Sequence, residues 1–143
     1  MKAGKKTPLV FFNASVIMCG IKSPEGGSGK ILSWVENKKI KGVISEIIRQ
    51  EIIKNAQKIG ISDKILLKKT DKIFPIVIKE PGQKTVDKFS KLIIDLGDTH
   101  VLASAQETKA DFLVSLDKKH ILILKNKVKN FLITSPGELI EKL

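Results

Sequence analysis

The chain has 143 residues, of which 42% are hydrophobic, so it is long enough to bury a core and to fold as one domain over residues 1–143. Its 26 basic and 15 acidic residues give a formal net charge of +11. The single cysteine, Cys19, excludes an intrachain disulfide and suits a reducing compartment. No apolar run approaches the ~18–20 residues that span a membrane. We therefore expect a cytoplasmic protein with no membrane partner.

The first half of the chain alternates strand-like and helix-like segments. Residues 9–17 form the most apolar run of the sequence and predict one continuous buried strand. After it the pattern predicts, in chain order, a loop over 22–29, a helix over 30–39, a strand over 42–45 and a helix over 46–58. Ser62 is a suitable N-cap for a further helix that ends near Lys72.

The second half continues the same alternation. The pattern predicts, in order, a strand over 76–78, a helix over 85–94, a helix from Asp98, and strands over 111–116 and 131–134. Ser135 and Glu138 match a capping box that opens a closing helix. Strands that alternate with helices predict an α/β fold, in which a central parallel sheet is covered on both faces.

Four polar residues stand where predicted strands end or helices begin. They are Asn13, Glu46, Asp98 and Asp117. In a parallel sheet such positions meet at the carboxyl ends of the strands, and a pocket of carboxylates binds hard divalent cations that cleave phosphodiesters. Each acid also has an ordinary structural interpretation, as a helix cap, a partner for a helix dipole or a turn former.

Other chemistries have little support in the sequence. The segment before Lys30 lacks the glycine spacing of a phosphate-binding P-loop. His100 and His120 lack the paired spacing of a zinc site. The basic excess favours polyanions, although it also fits a compositional bias in which lysines only solvate the surface. If the charge is functional, phosphates are the expected target, because Arg49 is the only arginine available to read base edges.

Taken together, these segments resemble the PIN domain family over nearly the whole chain. The resemblance is carried by VFFNAS (10–15), ISE (44–46), DTHVLASA (98–105), ADFLVSLD (110–117) and LITSPGEL (132–139). The last of these segments also resembles the group of PIN domains that are the toxin components of toxin–antitoxin pairs. It implies a three-layer α/β/α sandwich in a single domain.

The resemblance also implies a function and a site. It implies an endoribonuclease that uses Mg²⁺ or Mn²⁺ to cleave RNA, with water attacking phosphorus and a 3′-hydroxyl leaving. Three of the family's acids match Glu46, Asp98 and Asp117, and Ser15 and Ser115 match small polar residues that line the site. An antitoxin protein and a homodimer are implied as partners.

Asn13 departs from the family pattern, which has an aspartate at this position. An asparagine can offer a carbonyl oxygen to a metal ion, but it brings no charge. A unit charge at ~4 Å is worth about 4 kcal/mol at an effective dielectric of about 20, so a weaker metal site is expected. Two interpretations follow: a nuclease whose activity Asn13 weakens, or a catalytically inactive PIN-like module that binds RNA or a protein.

Overall fold

A five-stranded parallel sheet runs through the centre of the computed structural model, which describes residues 6–92 and 96–143. The strands are β1 (Leu9–Phe12), β2 (Lys41–Ser45), β3 (Val77–Ile78), β4 (Phe112–Val114) and β5 (Leu132–Thr134). Their order in the sheet is β3-β2-β1-β4-β5. The middle strand, β1, buries Val10, Phe11 and Phe12 completely, because it has a paired neighbour on each side and helices on both faces.

Helices cover both faces of this sheet and complete the predicted three-layer α/β/α sandwich. In the described ranges the α-helices are α1 (Ala14–Lys22), α2 (Gly27–Glu36), α3 (Glu46–Lys54), α4 (Asp63–Ile73), α5 (Gln83–Ser90), α6 (Thr99–Glu107) and α7 (Pro136–Lys142). One group of helices packs together and consists of α1, α2, α3, α4 and α7. Helix α5 packs against α6. From β1 to β3 the chain moves toward one edge of the sheet, and after β3 it crosses back to β4. Because crossovers between parallel strands are right-handed, this reversal places the helices between β3 and β4 on the other face of the sheet.

The first predicted strand is wrong in its second half. The strand ends at Phe12, and residues 14–22 form α1. Asn13 makes the switch, because its backbone is extended and its side-chain oxygen accepts a hydrogen bond from the Ala14 N–H at the start of the helix. Helix α1 is itself largely buried, so its apolar residues continue the apolar run of the strand.

Most other elements confirm the sequence predictions, with shifted ends. Ser62 caps α4 through the Ile65 N–H, and both bonds of the Ser135–Glu138 capping box are present at α7. Helix α2 starts at Gly27, inside the predicted loop. The predicted helix over 85–94 is found as α5, which ends at Ser90; residues 91–92 form a turn instead, and residues 93–94 lie outside the described residues.

The register of the sheet places Asn13 between two serines. Phe11 pairs with Val43 on β2, so Asn13, two positions further on, lies beside Ser45. Phe12 pairs with Val114 on β4, so Asn13 also lies beside Ser115. All three side chains lie at the carboxyl edge of the sheet and are buried. No helix in the described part of the chain is both long and apolar enough to cross a membrane.

Candidate active site

Strands β1 and β4 are neighbours, but their connections lead in opposite directions across the sheet. The chain passes from β1 to β2 on one side and from β4 to β5 on the other. A crevice forms at such a reversal, outside the carboxyl ends of the two strands, and it is the usual binding site of an open parallel sheet. Asn13 follows β1 here, and Ser115 and Asp117 follow β4.

Asn13 is fixed by two side-chain hydrogen bonds. Its Oδ1 accepts from the Ala14 N–H at 2.8 Å, and its Nδ2 donates to Ser115 Oγ at 2.8 Å. The Ala14 N–H can only donate, so the amide must present its oxygen to the helix and its nitrogen to the serine. The oxygen that could bind a cation therefore already accepts one hydrogen bond as the cap of α1 and has one lone pair left.

The two serines tie the segment after β1 to the segment after β4. Ser115 Oγ also accepts from the Asp117 N–H at 3.0 Å, and Ser15 Oγ accepts from the Leu116 N–H at 3.2 Å. The Ser115 hydroxyl thus links Asn13 directly to the backbone of Asp117. Both serines therefore bond the backbone of the segment that carries Asp117.

Two of the expected acids come together with a histidine. One ligand atom each from Asp98, Asp117 and His120 lie within 4.8 Å of one another. His120 Nδ1 is 3.3 Å from Asp117 Oδ2 and 3.7 Å from Asp98 Oδ2. The side chains are partly exposed, 25% for Asp98 and 28% for Asp117, so solvent and a substrate can reach them. Two carboxylates and an imidazole form a chemically reasonable donor set for a divalent cation.

Glu46 lies in a different environment. It is the first residue of α3 and lines an open cleft of about 590 Å³ with Arg49 and Asp71. Arg49 Nε and Nη2 each donate to a carboxylate oxygen of Asp71 at 2.9 Å. This paired guanidinium lowers the pKa of Asp71 below its ordinary value, mainly through the hydrogen bonds. Glu46 is not a member of the group formed by Asp98, Asp117 and His120.

A second acid on α3, Glu51, contacts helix α6. Glu51 Oε1 is 2.9 Å from the Nε2 atom of His100, which stands two residues after Asp98 in α6. At 100° per residue, Glu51 flanks the buried stripe of Ile48 and Ile52, whereas Glu46 projects from the other side of the helix. This contact therefore brings Glu51 to the first turn of α6.

Sequence reasoning did not single out Glu51, and it considered His120 only as a zinc ligand paired with His100, which it rejected. His120 follows Asp117 by three residues, a spacing typical of an aspartate that caps its own turn, and this was a usable signal. Glu51 carried a weaker signal, as a carboxylate beside the apolar stripe of a helix. Glu51 contacts His100 in α6, and His120 contacts Asp98 just before α6, so both contacts join segments that are distant in sequence.

Comparison with known proteins settles the family. A PIN domain family model matches residues 9–119, which is most of the chain. The chain belongs to the PIN domain family. No curated protein matches the sequence.

Two solved structures share the fold of this PIN domain. One is VapBC2 from Rickettsia felis bound to a DNA fragment from their promoter, with a TM-score of 0.66 and 14% identity over 89% of this chain and 98% of that chain. The other is PAE2754 from Pyrobaculum aerophilum, with a TM-score of 0.64 and 16% identity over 94% of both chains. At these identities the likeness concerns the fold.

PIN domains are generally nucleases that use divalent metals. The acidic group at the carboxyl edge of this PIN domain fits that chemistry, because its oxygen and nitrogen donors converge from two separate segments.

Proposed function

We propose that this PIN domain is a metal-dependent endoribonuclease that cleaves single-stranded RNA, and that it is the toxin component of a toxin–antitoxin pair. The observation that carries the proposal is the convergence of Asp98, Asp117 and His120 within 4.8 Å at the carboxyl edge of a PIN fold. Carboxylates at this spacing repel one another, so a cation between them relieves an unfavourable arrangement.

Asp98 and Asp117 would hold Mg²⁺ or Mn²⁺. When bound, the cation would lower the pKa of a water ligand and stabilise negative charge on the phosphoryl oxygens. Ser115 and Ser15 hold the Asp117 segment in place through its backbone N–H groups. Glu46, the acid expected from the sequence, and Glu51, the acid paired with His100, are the two candidates for a further carboxylate at the site. Asn13 would contribute as a weak ligand at most, since its amide oxygen carries no net charge and already accepts the Ala14 N–H.

The charge distribution supports a nucleic acid substrate that is bound through its phosphates. The net charge is +11, and the exposed Lys118 and Lys119 follow Asp117 directly. Arg49, the single arginine, is paired with Asp71. Lysines that surround an acidic centre would draw the RNA backbone toward it without reading the sequence of bases.

The proposed toxin function also implies protein partners. The sequence resembles PIN toxin components, and the fold is similar to that of VapBC2 from Rickettsia felis, whose structure contains a promoter DNA fragment. We propose an antitoxin protein as a partner, a homodimer as the assembly and the cytoplasm as the location. Co-purification with the product of an adjacent gene would test the first of these.

Asn13 favours a second candidate function, an inactive PIN-like module that binds RNA or a protein. The amide removes one negative charge from the site, and its oxygen is already bonded to Ala14. In this case RNA binding would need no cation, and Asp117→Asn would leave it unchanged.

Cleavage of a fluorescent single-stranded RNA with Mn²⁺ or Mg²⁺ tests the proposal. We expect cation-dependent cleavage that falls at least about 100-fold in Asp117→Asn, since a carboxylate that holds the cation is lost. Glu141→Gln is the matched control, because Glu141 is an exposed carboxylate at the far end of α7. Glu46→Gln and Glu51→Gln, compared side by side, identify which acid of α3 serves the site.

One result would overturn the nuclease assignment. RNA binding without cleavage at any cation concentration, with the same affinity in the Asp117→Asn variant, would support the inactive module. Circular dichroism spectra of all variants establish that each one is folded.

A further inference from the structure

His120 is placed beside the acids by a turn that Asp117 itself organises. Asp117 Oδ1 accepts from the Lys119 N–H at 3.1 Å and from the His120 N–H at 3.0 Å. These two bonds fix the carboxylate, and its other oxygen, Oδ2, then faces the imidazole. The imidazole position is thus built into the backbone of this segment.

The distances from the imidazole nitrogen to the two carboxylates suit a single small cation. For metal–ligand distances of about 2.1 Å, adjacent ligands of an octahedral ion lie about 3 Å apart and opposite ligands about 4.2 Å apart. The distances of His120 Nδ1 from the two Oδ2 atoms, 3.3 and 3.7 Å, lie between these values. Nδ1 is therefore placed as a third donor to an ion that Asp98 and Asp117 hold.

We propose that His120 is a nitrogen ligand of the cation site, and that it makes the site selective for Mn²⁺ over Mg²⁺. This inference rests on the proposed metal-dependent function. Mg²⁺ is a hard ion that prefers oxygen donors, whereas imidazole nitrogen is a better ligand for first-row transition metals. Asn13 strengthens the effect, because a site with fewer carboxylates holds Mg²⁺ less well, and the imidazole offsets part of that loss for Mn²⁺.

A purely structural role for His120 is the competing interpretation. A charged imidazole between two carboxylates would relieve their repulsion without binding a metal. In that case the loss of His120 would change the affinity for both cations by a similar factor. The ratio of the two affinities therefore distinguishes a ligand from an ion-pair partner.

The test measures Mn²⁺ and Mg²⁺ affinity by isothermal titration calorimetry, without RNA. We expect His120→Gln to weaken Mn²⁺ at least tenfold and Mg²⁺ less than about threefold. Glu141→Gln is the control, because this exposed carboxylate lies at the far end of α7, and its affinity ratio should equal that of the parent chain. Electron spin-echo envelope modulation of bound Mn²⁺ should show nitrogen coupling in the parent chain and in Glu141→Gln, and no coupling in His120→Gln.

The outcomes separate this inference from the proposed function. If Mn²⁺ binds without nitrogen coupling, and His120→Gln leaves the affinity ratio unchanged, His120 is not a ligand while the metal site stands. If the parent chain binds neither cation, the metal-dependent function and this inference both fail. Nitrogen coupling in the parent spectrum supports the inference even if His120→Gln proves unstable.

Discussion

Asn13 has a structural role that explains how the fold accommodates an amide at this position. It caps α1 with its oxygen and bonds Ser115 with its nitrogen, so both ends of the amide are satisfied in a buried setting. A carboxylate could replace it with little loss. It would accept from Ala14 at a helix N-terminus, where negative charge is favourable, and the Ser115 hydroxyl could turn to donate to it.

We therefore predict that Asn13→Asp tightens Mn²⁺ binding at least tenfold while changing the free energy of unfolding by less than about 1 kcal/mol. Residue 13 and the Asp117 backbone both bond the Ser115 hydroxyl, so the added charge lies near Asp117 and attracts a cation held there. Calorimetry of Mn²⁺ binding and urea unfolding measure the two effects. In an Asp117→Asn background the gain should shrink, because the partner carboxylate is missing. An equal gain in Mn²⁺ affinity with and without the Asp117 carboxylate would mean that the cation binds at another site.

At the residue scale, the sequence predicts contacts between residues that are close together along the chain. Ser62 and the Ser135–Glu138 pair were identifiable because their bonds span three residues. Asp98 and Asp117 were identifiable as positions at the ends of elements, and the structure brings them together. The contact between Glu51 and His100 crosses 49 positions, and no local pattern encodes it.

At the scale of elements, the periodicity of apolar residues separates strand from helix only where one side of the element faces solvent. Residues 9–17 lack that contrast, because β1 is buried on both faces and α1 packs against α2 and α3. The polar signal inside the run was Asn13, a favoured N-cap residue. The boundary of α2 was missed for a related reason, since its first turn is built from glycine and serine rather than apolar residues.

Two glycines in that first turn of α2 differ in what surrounds them. A Cβ atom at Gly29 would lie 2.2 Å from the Pro24 carbonyl oxygen, which belongs to backbone. At Gly27 it would meet only side-chain atoms of Ile140 and Pro136, at 3.8 Å. The start of α2 therefore depends on the absence of a side chain at one position and not at the other.

We predict that Gly29→Ala destabilises the protein by more than about 2 kcal/mol, because a backbone segment must move to relieve the clash. Gly27→Ala should be neutral or stabilising by up to about 1 kcal/mol, since alanine favours a helix more than glycine does. Urea unfolding of the two variants measures the difference. Similar stabilities for both would mean that the segment around Pro24 yields easily, and that α2 does not depend on this close approach.

At the scale of the whole molecule, the charge of +11 is the property most relevant to a nucleic acid partner, and its origin in lysine matters. Lysine acts as a flexible point charge, whereas arginine can read planar groups with its forked donors. Arg49 already uses its fork on Asp71, so this pair adds no net charge to the surface. Binding through lysines alone would depend steeply on salt and weakly on base sequence.

We predict that the affinity for a single-stranded RNA, measured by fluorescence anisotropy in EDTA, falls about 100-fold between 50 and 200 mM salt. A logarithmic slope of about −0.7 per phosphate contact gives this change for about five contacts. Replacing Lys118 and Lys119 together by glutamine should reduce the slope by about 1.4, because two contacts next to Asp117 are lost. Arg49→Gln should leave the slope unchanged, since this guanidinium is held by Asp71. A slope that responds to Arg49→Gln and not to the lysine pair would move the RNA path from the Asp117 segment to the cleft beside Glu46.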